Sequence, residues 1–175
     1  MTPTPPDDTD IAALAAQAGR ALLSAGLKVV TAESCTGGGV ATALTDVAGS
    51  SQWFERGYVT YSNAAKTQDL GVEPALIERH GAVSAAVVEQ MAAGALRASG
   101  AHVAVAVSGI AGPDGGTVDK PVGLVFLGVV RRNGAVHVLR EQFPGDRASI
   151  RRASVAAALR LIIQAAAAAN FDTNA

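Results

Sequence analysis

Residues 31–39 read T-A-E-S-C-T-G-G-G, and they join an apolar run at 27–32, predicted to be a buried strand, to a helical pattern. In that pattern Val40, Leu44 and Val47 recur at the spacing of one helix face. The three glycines let the backbone turn tightly and leave room for a ligand. Because the first amides of a helix have no partner within the helix, we expect them to bind an anion or an oxyanion here.

This turn carries two adjacent candidate nucleophiles, Ser34 and Cys35. Cysteine is the better intrinsic nucleophile, since a few per cent of it is already thiolate at neutral pH. Thiol hydrolases normally pair that cysteine with a histidine, and none of the three histidines lies in a motif-bearing loop. A capped turn without chemistry is the alternative, and the residue types alone favour a functional turn by only a small margin.

The composition predicts one α/β domain with a sizeable core. The chain has 175 residues, 49% hydrophobic and 17% charged, and we expect the domain at 9–169 between a disordered tail at 1–8 and a frayed tail at 170–175. A net charge of −1 argues against a broad nucleic-acid or membrane surface. The single cysteine excludes a disulfide framework. Without a signal peptide or a transmembrane run, we expect a cytoplasmic protein.

The strand pattern predicts a mixed sheet. Residues 57–61 and 102–107 have the apolar, β-branched or aromatic character of strands. Apolar runs at 122–130 and 135–143 flank Asn133-Gly134, a strong signal for a two-residue β-hairpin. The hairpin adds antiparallel pairing to a sheet that strand–helix alternation would otherwise make parallel.

A second loop, at 108–123, also leaves the end of a predicted strand. It reads S-G-I-A-G-P-D-G-G-T-V-D-K-P-V-G and contains five glycines and two prolines. Successive amides in such loops form concave anion sites, and Gly109 and Gly112 are candidates here. The loop lacks the Gly-Lys-Ser/Thr of a Walker A motif. Ligands of open α/β sheets collect where such loops meet, so we expect both loops at one edge.

Aromatic residues are rare in this chain and concentrated in one stretch. Trp53, Phe54, Tyr58 and Tyr61 are four of the seven. Such a cluster can stack on a flat ring. The alternative is an ordinary core role, which is the better interpretation for Trp53 and Phe54.

Of the three lysines, Lys66 is the best candidate for a base that activates the serine. It follows the aromatic stretch, on a short helix that Ser62 can cap, whereas Lys28 lies in a strand and Lys120 in the glycine-rich loop. A free lysine has a pKa of about 10.4, so the neutral form costs about 4–5 kcal/mol at pH 7. Burial can lower that pKa by about 3–5 units. The role therefore requires Lys66 to be buried beside the nucleophile.

Two arginines, Arg147 and Arg151, share one face at the start of the predicted last helix. They are interpreted either as solvated side chains or as a phosphate site. Metal binding is not expected, because the three histidines occupy separate segments without ligand spacing. A Ser-His-Asp triad would require the fold to bring a histidine to Ser34.

Six ordered motifs carry a resemblance that extends from about residue 10 to 168. They are T-A-E-S-C-T-G-G (31–38), W-F-E-R-G-Y-V-T-Y-S-N-A-A-K (53–66), G-A-V-S (81–84), S-G-I-A-G-P-D-G-G (108–116), K-P-V-G (120–123) and G-D-R (145–147). Together they closely resemble the CinA C-terminal domain family, whose characterised enzymes are nicotinamide-nucleotide amidases. Members occur alone or behind an N-terminal domain linked to ADP-ribose hydrolysis, and we expect the stand-alone form.

The resemblance implies a three-layer α/β/α sandwich and hydrolysis of nicotinamide mononucleotide to nicotinate mononucleotide and ammonia, without a cofactor. It implies that Ser34 is the nucleophile, with Lys66 and Tyr61 as its activating partners. It also places Ser108 at the site and matches Arg147 to a substrate-contacting arginine. The choice of Ser34 leaves Cys35 to pack as a small apolar side chain.

The remaining expectations concern the substrate. The amides of Cys35, Thr36 and Gly37 would hold the oxyanion, the glycine-rich loop and Arg147 would hold the phosphate, and Tyr58 would face the pyridinium ring. We expect a small pyridine mononucleotide as ligand and a homo-oligomer, a dimer or larger. The alternative is a non-catalytic nucleotide-binding or regulatory module, in which Ser34 only caps a helix.

Overall fold

The computed structural model describes residues 6–167, and in this range helices and strands alternate along most of the chain. The strands are β1 (Val29–Glu33), β2 (Phe54–Val59), β3 (Val103–Gly109), β4 (Leu124–Arg131) and β5 (His137–Gln142). The helices are α1 (Asp8–Ala25), α2 (Gly39–Thr45), α3 (Asn63–Leu70), α4 (Pro74–His80), α5 (Ala85–Arg97) and α6 (Arg147–Ala167). The expected tails lie outside the described residues except for 6–8, where Asp8 already begins α1.

The strands form one mixed sheet in the order β2-β1-β3-β4-β5. Strand β1 pairs in parallel with β2 and β3, and β4 pairs in antiparallel fashion with β3 and β5. Within residues 6–167, β4 therefore runs opposite to the other four strands. Asn133, at the predicted hairpin turn, has a left-handed φ of 70°. The predicted mixed, mostly parallel sheet is confirmed.

Helices cover both faces of this sheet. Helices α1, α2 and α6 pack on one face around a cluster that includes Leu22, Leu44 and Ile162. Helices α4 and α5 pack on the other around Ile77 and Met91, where α3 adds its last residue. The three-layer α/β/α sandwich is thus confirmed. No helix in the described part of the chain has both the length and the apolar character needed to cross a membrane.

The parallel pairing brings the two predicted loops to one edge of the sheet. Strands β1 and β3 are in register, with Glu33 opposite Val107. The amide of Ser34, just past β1, donates to the Val107 carbonyl at 2.9 Å. Both strands are almost wholly buried, which explains their largely apolar sequences. Ser34 and Ser108 therefore lie side by side where β1 and β3 end.

Strand β2 begins earlier than its sequence pattern suggested, at Phe54 instead of residue 57. Trp53 precedes the strand and is only 3% exposed, and Phe54 packs against the same core cluster. The core interpretation of these two aromatics is correct. Because β2 ends at Val59, Tyr61 lies beyond the strand, at the edge where Ser34 also lies.

Helix α3 is held against α5 by a very close backbone contact. A Cβ added to Gly94 of α5 would lie 1.9 Å from the carbonyl oxygen of Leu70, the last residue of α3. Neither backbone can approach this closely with a side chain between them. The position of α3, and of every side chain on it, thus depends on this glycine.

We expect Gly94→Ala to lower the free energy of unfolding by about 3 kcal/mol, because the added methyl group must push α3 away from α5. Urea unfolding followed by circular dichroism measures the change. Gly100→Ala is the matched control, since a Cβ there meets no atom within 4 Å. Equal stability of the two variants would contradict this account.

Candidate active site

A pocket of about 280 Å³ opens at the edge of the sheet where β1 and β3 end. Most of the predicted site residues line it: Ser34, Cys35, Tyr61, Lys66, Ser108, Gly109, Gly112 and Arg147. These residues come from the turn after β1, from the segment between β2 and α3, from α3, from the glycine-rich loop and from the start of α6. The fold therefore gathers side chains that are far apart in the sequence.

Lys66 reaches Ser34 from α3. The Ser62 hydroxyl caps this helix by accepting from the Ala65 amide at 3.1 Å, as the sequence predicted. Lys66 Nζ lies 3.0 Å from Ser34 Oγ and donates to the Thr60 carbonyl at 2.7 Å. The Lys66 residue is only 1% exposed. The required burial beside the candidate nucleophile is thus present.

Burial lowers the pKa of Lys66 below its ordinary value, because the charged form loses its water. No carboxylate within the described residues forms an ion pair with Lys66 to restore the charge. The other lysines are engaged elsewhere: Lys28 pairs with Glu55 at 3.3 Å, and Lys120 donates to the carbonyls of His80 and Val83. Of the three lysines, Lys66 is the one whose amine contacts the Ser34 hydroxyl.

Cys35 is buried and is only 6% exposed. Burial raises the pKa of the Cys35 thiol to about 11, so near neutral pH the group is protonated. The thiolate is the nucleophilic form of cysteine. The environment therefore favours Ser34 over Cys35 as the nucleophile.

The histidines lie away from the pocket. His102 accepts a hydrogen bond from the Lys28 amide through Nδ1 at 2.9 Å, near the start of β1 and at the opposite end of the sheet from Ser34. Neither His80 nor His137 lines the pocket. Across residues 6–167, no group of three His, Cys, Asp or Glu side chains is arranged to hold a metal ion. A Ser-His-Asp arrangement is therefore not formed.

Glu33 has a role that the sequence analysis missed. It is fully buried, and its carboxylate accepts from the Val40 amide at 3.0 Å, the Ala41 amide at 2.8 Å and the Thr36 hydroxyl at 2.7 Å. The expectation that the first amides of α2 are available to an anion is thus wrong for Val40 and Ala41. An acidic residue shortly before a predicted helix is the sequence signal that could have indicated this cap.

The turn itself offers fewer free amides than predicted. The Gly37 amide donates to the Ser34 carbonyl at 3.0 Å, so it is already engaged. The amides of Cys35 and Thr36 donate no hydrogen bond within residues 6–167. Gly37 and Gly38 have φ values of 61° and 92°, which favour glycine. The amides of Cys35 and Thr36, two of the three predicted oxyanion donors, are therefore unpaired, and of these two residues only Cys35 lines the pocket.

Arg147 begins α6 and connects three parts of the pocket. Its guanidinium donates to the Gly112 carbonyl at 2.9 Å and to the Tyr61 hydroxyl at 3.0 Å. Tyr61 is thereby held by Arg147, with no hydrogen bond to Ser34 or Lys66 among the described residues. Arg151, one turn later, instead donates to the Thr36 carbonyl at 2.8 Å. Arg147 therefore contacts the glycine-rich loop and Tyr61, whereas Arg151 contacts the turn after β1.

Residues 80–83 support one wall of the pocket, which Ala82 and Val83 line. The buried Ser108 hydroxyl donates to the Ala82 carbonyl at 2.9 Å. Lys120, whose role the sequence left open between solvent and ligand, binds the carbonyls of His80 and Val83 instead. These bonds tie the end of β3 and the glycine-rich loop to the same wall.

Thr36 and Gly37 do not line this pocket but a second cavity beside α6, and Tyr58 lies outside the pocket as well. Tyr58 lies within β2 opposite Ala32 and packs on the face covered by α5. Its hydroxyl donates to the Ala98 carbonyl at 3.4 Å, at the far end of α5. Strand geometry directs this side chain toward the helix layer. The predicted contact of Tyr58 with a pyridinium ring is therefore not supported.

The chain is similar in sequence to known proteins. Residues 11–166 match the model of the CinA C-terminal domain. The chain is 52% identical over 157 residues to the nicotinamide-nucleotide amidohydrolase PncC of Escherichia coli (strain K12), which covers 90% of this chain and 95% of that protein. It is 55% identical over 154 residues to PncC of Pseudomonas putida, and this match covers 88% of this chain and 96% of that protein.

A solved structure agrees with these sequence matches. The crystal structure of competence/damage inducible protein CihA from Agrobacterium tumefaciens has a TM-score of 0.87 and 47% identity, over 94% of this chain and 97% of that one. The family match spans both loops, α3 and the start of α6, which together form the pocket. The chain therefore belongs to the CinA C-terminal domain family.

Proposed function

We propose that this protein hydrolyses the carboxamide of nicotinamide mononucleotide, giving nicotinate mononucleotide and ammonia. The observation that carries the proposal is the buried contact of 3.0 Å between Lys66 Nζ and Ser34 Oγ. The substrate is suggested by relatives that are named nicotinamide-nucleotide amidohydrolase and are more than half identical to this chain. The oligomeric state, the cytoplasmic location and the domain limits stay predictions.

In the first step the neutral Lys66 amine takes the Ser34 proton while Ser34 Oγ forms a bond to the carboxamide carbon. The carbonyl oxygen becomes an oxyanion, and the free amides of Cys35 and Thr36 are its proposed donors. One such donor is typically worth about 2.7–4 kcal/mol. The Lys66 ammonium then returns its proton to the leaving nitrogen, and the C–N bond breaks to release ammonia.

In the second step water hydrolyses the ester on Ser34. Lys66, neutral again, removes a proton from the water as the water oxygen attacks the acyl carbon. The collapse of the second oxyanion breaks the bond to Ser34 Oγ, which recovers a proton from Lys66. The acid nicotinate mononucleotide is released, and no external cofactor enters the balance.

Arg147 is the proposed phosphate ligand. Its side chain uses two donors on Gly112 and Tyr61, which orient the guanidinium at the pocket and leave further N–H groups for an anion. The alternative of a non-catalytic module gives Ser34 only a capping role. The cap of α2 is instead supplied by Glu33, and capping gives no reason to bury a lysine beside Ser34.

Ser34→Ala is expected to abolish ammonia release from nicotinamide mononucleotide, whereas Cys35→Ala largely keeps it, because only the serine has a base at hand. An enzyme-coupled ammonia assay on both variants measures the difference, with folding checked by circular dichroism. An active Ser34→Ala beside a folded but inactive Cys35→Ala would indicate a thiol amidase. Binding without turnover by the unmodified protein would favour the non-catalytic module.

Lys66→Met is expected to abolish turnover and yet raise the free energy of unfolding at neutral pH. Folding lowers the pKa of Lys66, so the unfolded state binds more protons and the cost of burying this lysine is greatest below the folded-state pKa. The gain should therefore shrink as the pH rises toward the ordinary lysine pKa.

Urea unfolding at neutral and at alkaline pH tests this pH dependence. Lys28→Met is the control, because Lys28 is partly exposed and paired with Glu55, and no such gain is expected there. A Lys66→Met protein that is less stable than the unmodified one at neutral pH would show that the buried amine is not a stability cost.

Arg147→Ala is expected to raise KM by roughly 10- to 100-fold while kcat changes little, because a phosphate contact acts equally in the ground and transition states. Steady-state kinetics of ammonia release measures both constants. Arg160→Ala, an exposed arginine of the same helix, is the control. A fall in kcat with unchanged KM would place Arg147 in the catalytic step instead.

A further inference from the structure

We infer that Glu33 and Arg151 are positioning residues that hold Thr36 from two sides, and that this clamp aims the Cys35 and Thr36 amides at the reacting carboxamide. The inference rests on the proposed function, because it concerns the oxyanion of that reaction. It assigns roles to two charged side chains that the proposed chemistry does not use directly.

Both polar groups of Thr36 other than its amide are engaged by these residues. The Thr36 hydroxyl donates to Glu33 Oε2 at 2.7 Å. The Thr36 carbonyl accepts from Arg151 at 2.8 Å and from the Gly39 amide at 3.1 Å. Thr36 itself is fully buried. One residue is thus fixed through its side chain and through its backbone, by partners from β1 and α6.

This clamp acts where the chain has little stiffness of its own. Three glycines follow Thr36, and Gly37 and Gly38 have left-handed φ values. Glycine permits many backbone conformations, so the turn does not by itself keep its amides in one direction. The bonds to Glu33 and Arg151 restrict the rotation of the Thr36 backbone. They thereby restrict the two free amides that precede the glycines.

The clamp is built at a cost in stability. Glu33 is completely buried, and a buried carboxylate needs its hydrogen bonds to offset the loss of water. Arg151 Nε is buried without a hydrogen-bond partner among the described residues, which typically costs about 1–3 kcal/mol. Buried groups that are left unsatisfied call for an explanation. Holding the turn in one geometry supplies that explanation.

The geometry predicts a specific kinetic signature. An oxyanion exists only in the transition state and the intermediates, so misdirected amides lower kcat and leave substrate binding nearly unchanged. A misplacement of about 1 Å is enough to cost roughly 100-fold in rate. A merely structural role would instead reduce the folded fraction and the melting temperature, without this division between kcat and KM.

The first test compares Thr36→Val with Thr36→Ser. Valine keeps the shape of threonine but cannot donate to Glu33, whereas serine keeps the hydroxyl. We expect Thr36→Val to lower kcat for ammonia release by roughly 10- to 100-fold with KM within about two-fold of the unmodified protein. Thr36→Ser should recover most of that loss.

The second test compares Arg151→Met with Arg151→Lys on the opposite side of the clamp. Lysine retains one donor for the Thr36 carbonyl and should keep more kcat than methionine, again with KM nearly constant. Arg152→Met is the matched control, because Arg152 is the next residue of α6 and, among the described residues, forms no hydrogen bond to the turn; its kcat should not change. Circular dichroism at the assay temperature confirms that each variant is folded.

The outcomes separate this inference from the proposed function. If the unmodified protein releases no ammonia from nicotinamide mononucleotide, the proposed function is wrong. The inference about the clamp is then wrong as well, because it concerns the oxyanion of that reaction. If the unmodified protein is active while folded Thr36→Val and Arg151→Met keep kcat within about two-fold, the clamp is wrong and the proposed function stands. A loss that appears mainly in KM also overturns the clamp. Should Thr36→Val not fold, the Arg151 pair decides alone.

Discussion

The site depends on one buried contact, that between the amine of Lys66 and the hydroxyl of Ser34. A lysine without a carboxylate partner gains nothing from being buried, so the surrounding fold must hold it there. Helix α3 does so through three constraints: the Ser62 cap at its start, the Thr60 carbonyl that accepts from Lys66, and the close approach of Leu70 to Gly94. The position of α3 therefore places the proposed base, Lys66, beside Ser34.

The one carboxylate beside the nucleophile in sequence is kept away from this amine. Glu33 immediately precedes Ser34, yet it bonds to α2 and Thr36 in the layer of α1, α2 and α6. Lys66 lies on α3, and successive residues of a strand point to opposite faces of a sheet. An ion pair between the two would stabilise the ammonium and remove the base. The Glu33 carboxylate and the Lys66 amine therefore lie on opposite faces of the sheet.

The walls of the pocket are connected by hydrogen bonds between loops. Arg147 links α6 to Gly112 and Tyr61, while Ser108 and Lys120 link β3 and the glycine-rich loop to residues 80–83. Each bond joins segments that are far apart in the chain. The glycine-rich loop is thereby held against residues 80–83 at both ends, and by Arg147 at Gly112 between them. This arrangement explains how so glycine-rich a loop can still form part of a defined site.

Local sequence patterns were sufficient to determine the turn after β1, the hairpin at Asn133, the Ser62 cap and the core role of Trp53, because each depends on neighbouring residues. The motifs also predicted Ser34 and Lys66 as the catalytic pair, and that role stays a prediction. Only the tertiary structure decided that Glu33 occupies the Val40 and Ala41 amides, that Gly37 is engaged and that Tyr58 faces α5. The same holds for the meeting of Lys66 with Ser34 across 32 residues, because distances between segments follow from strand pairing and helix packing.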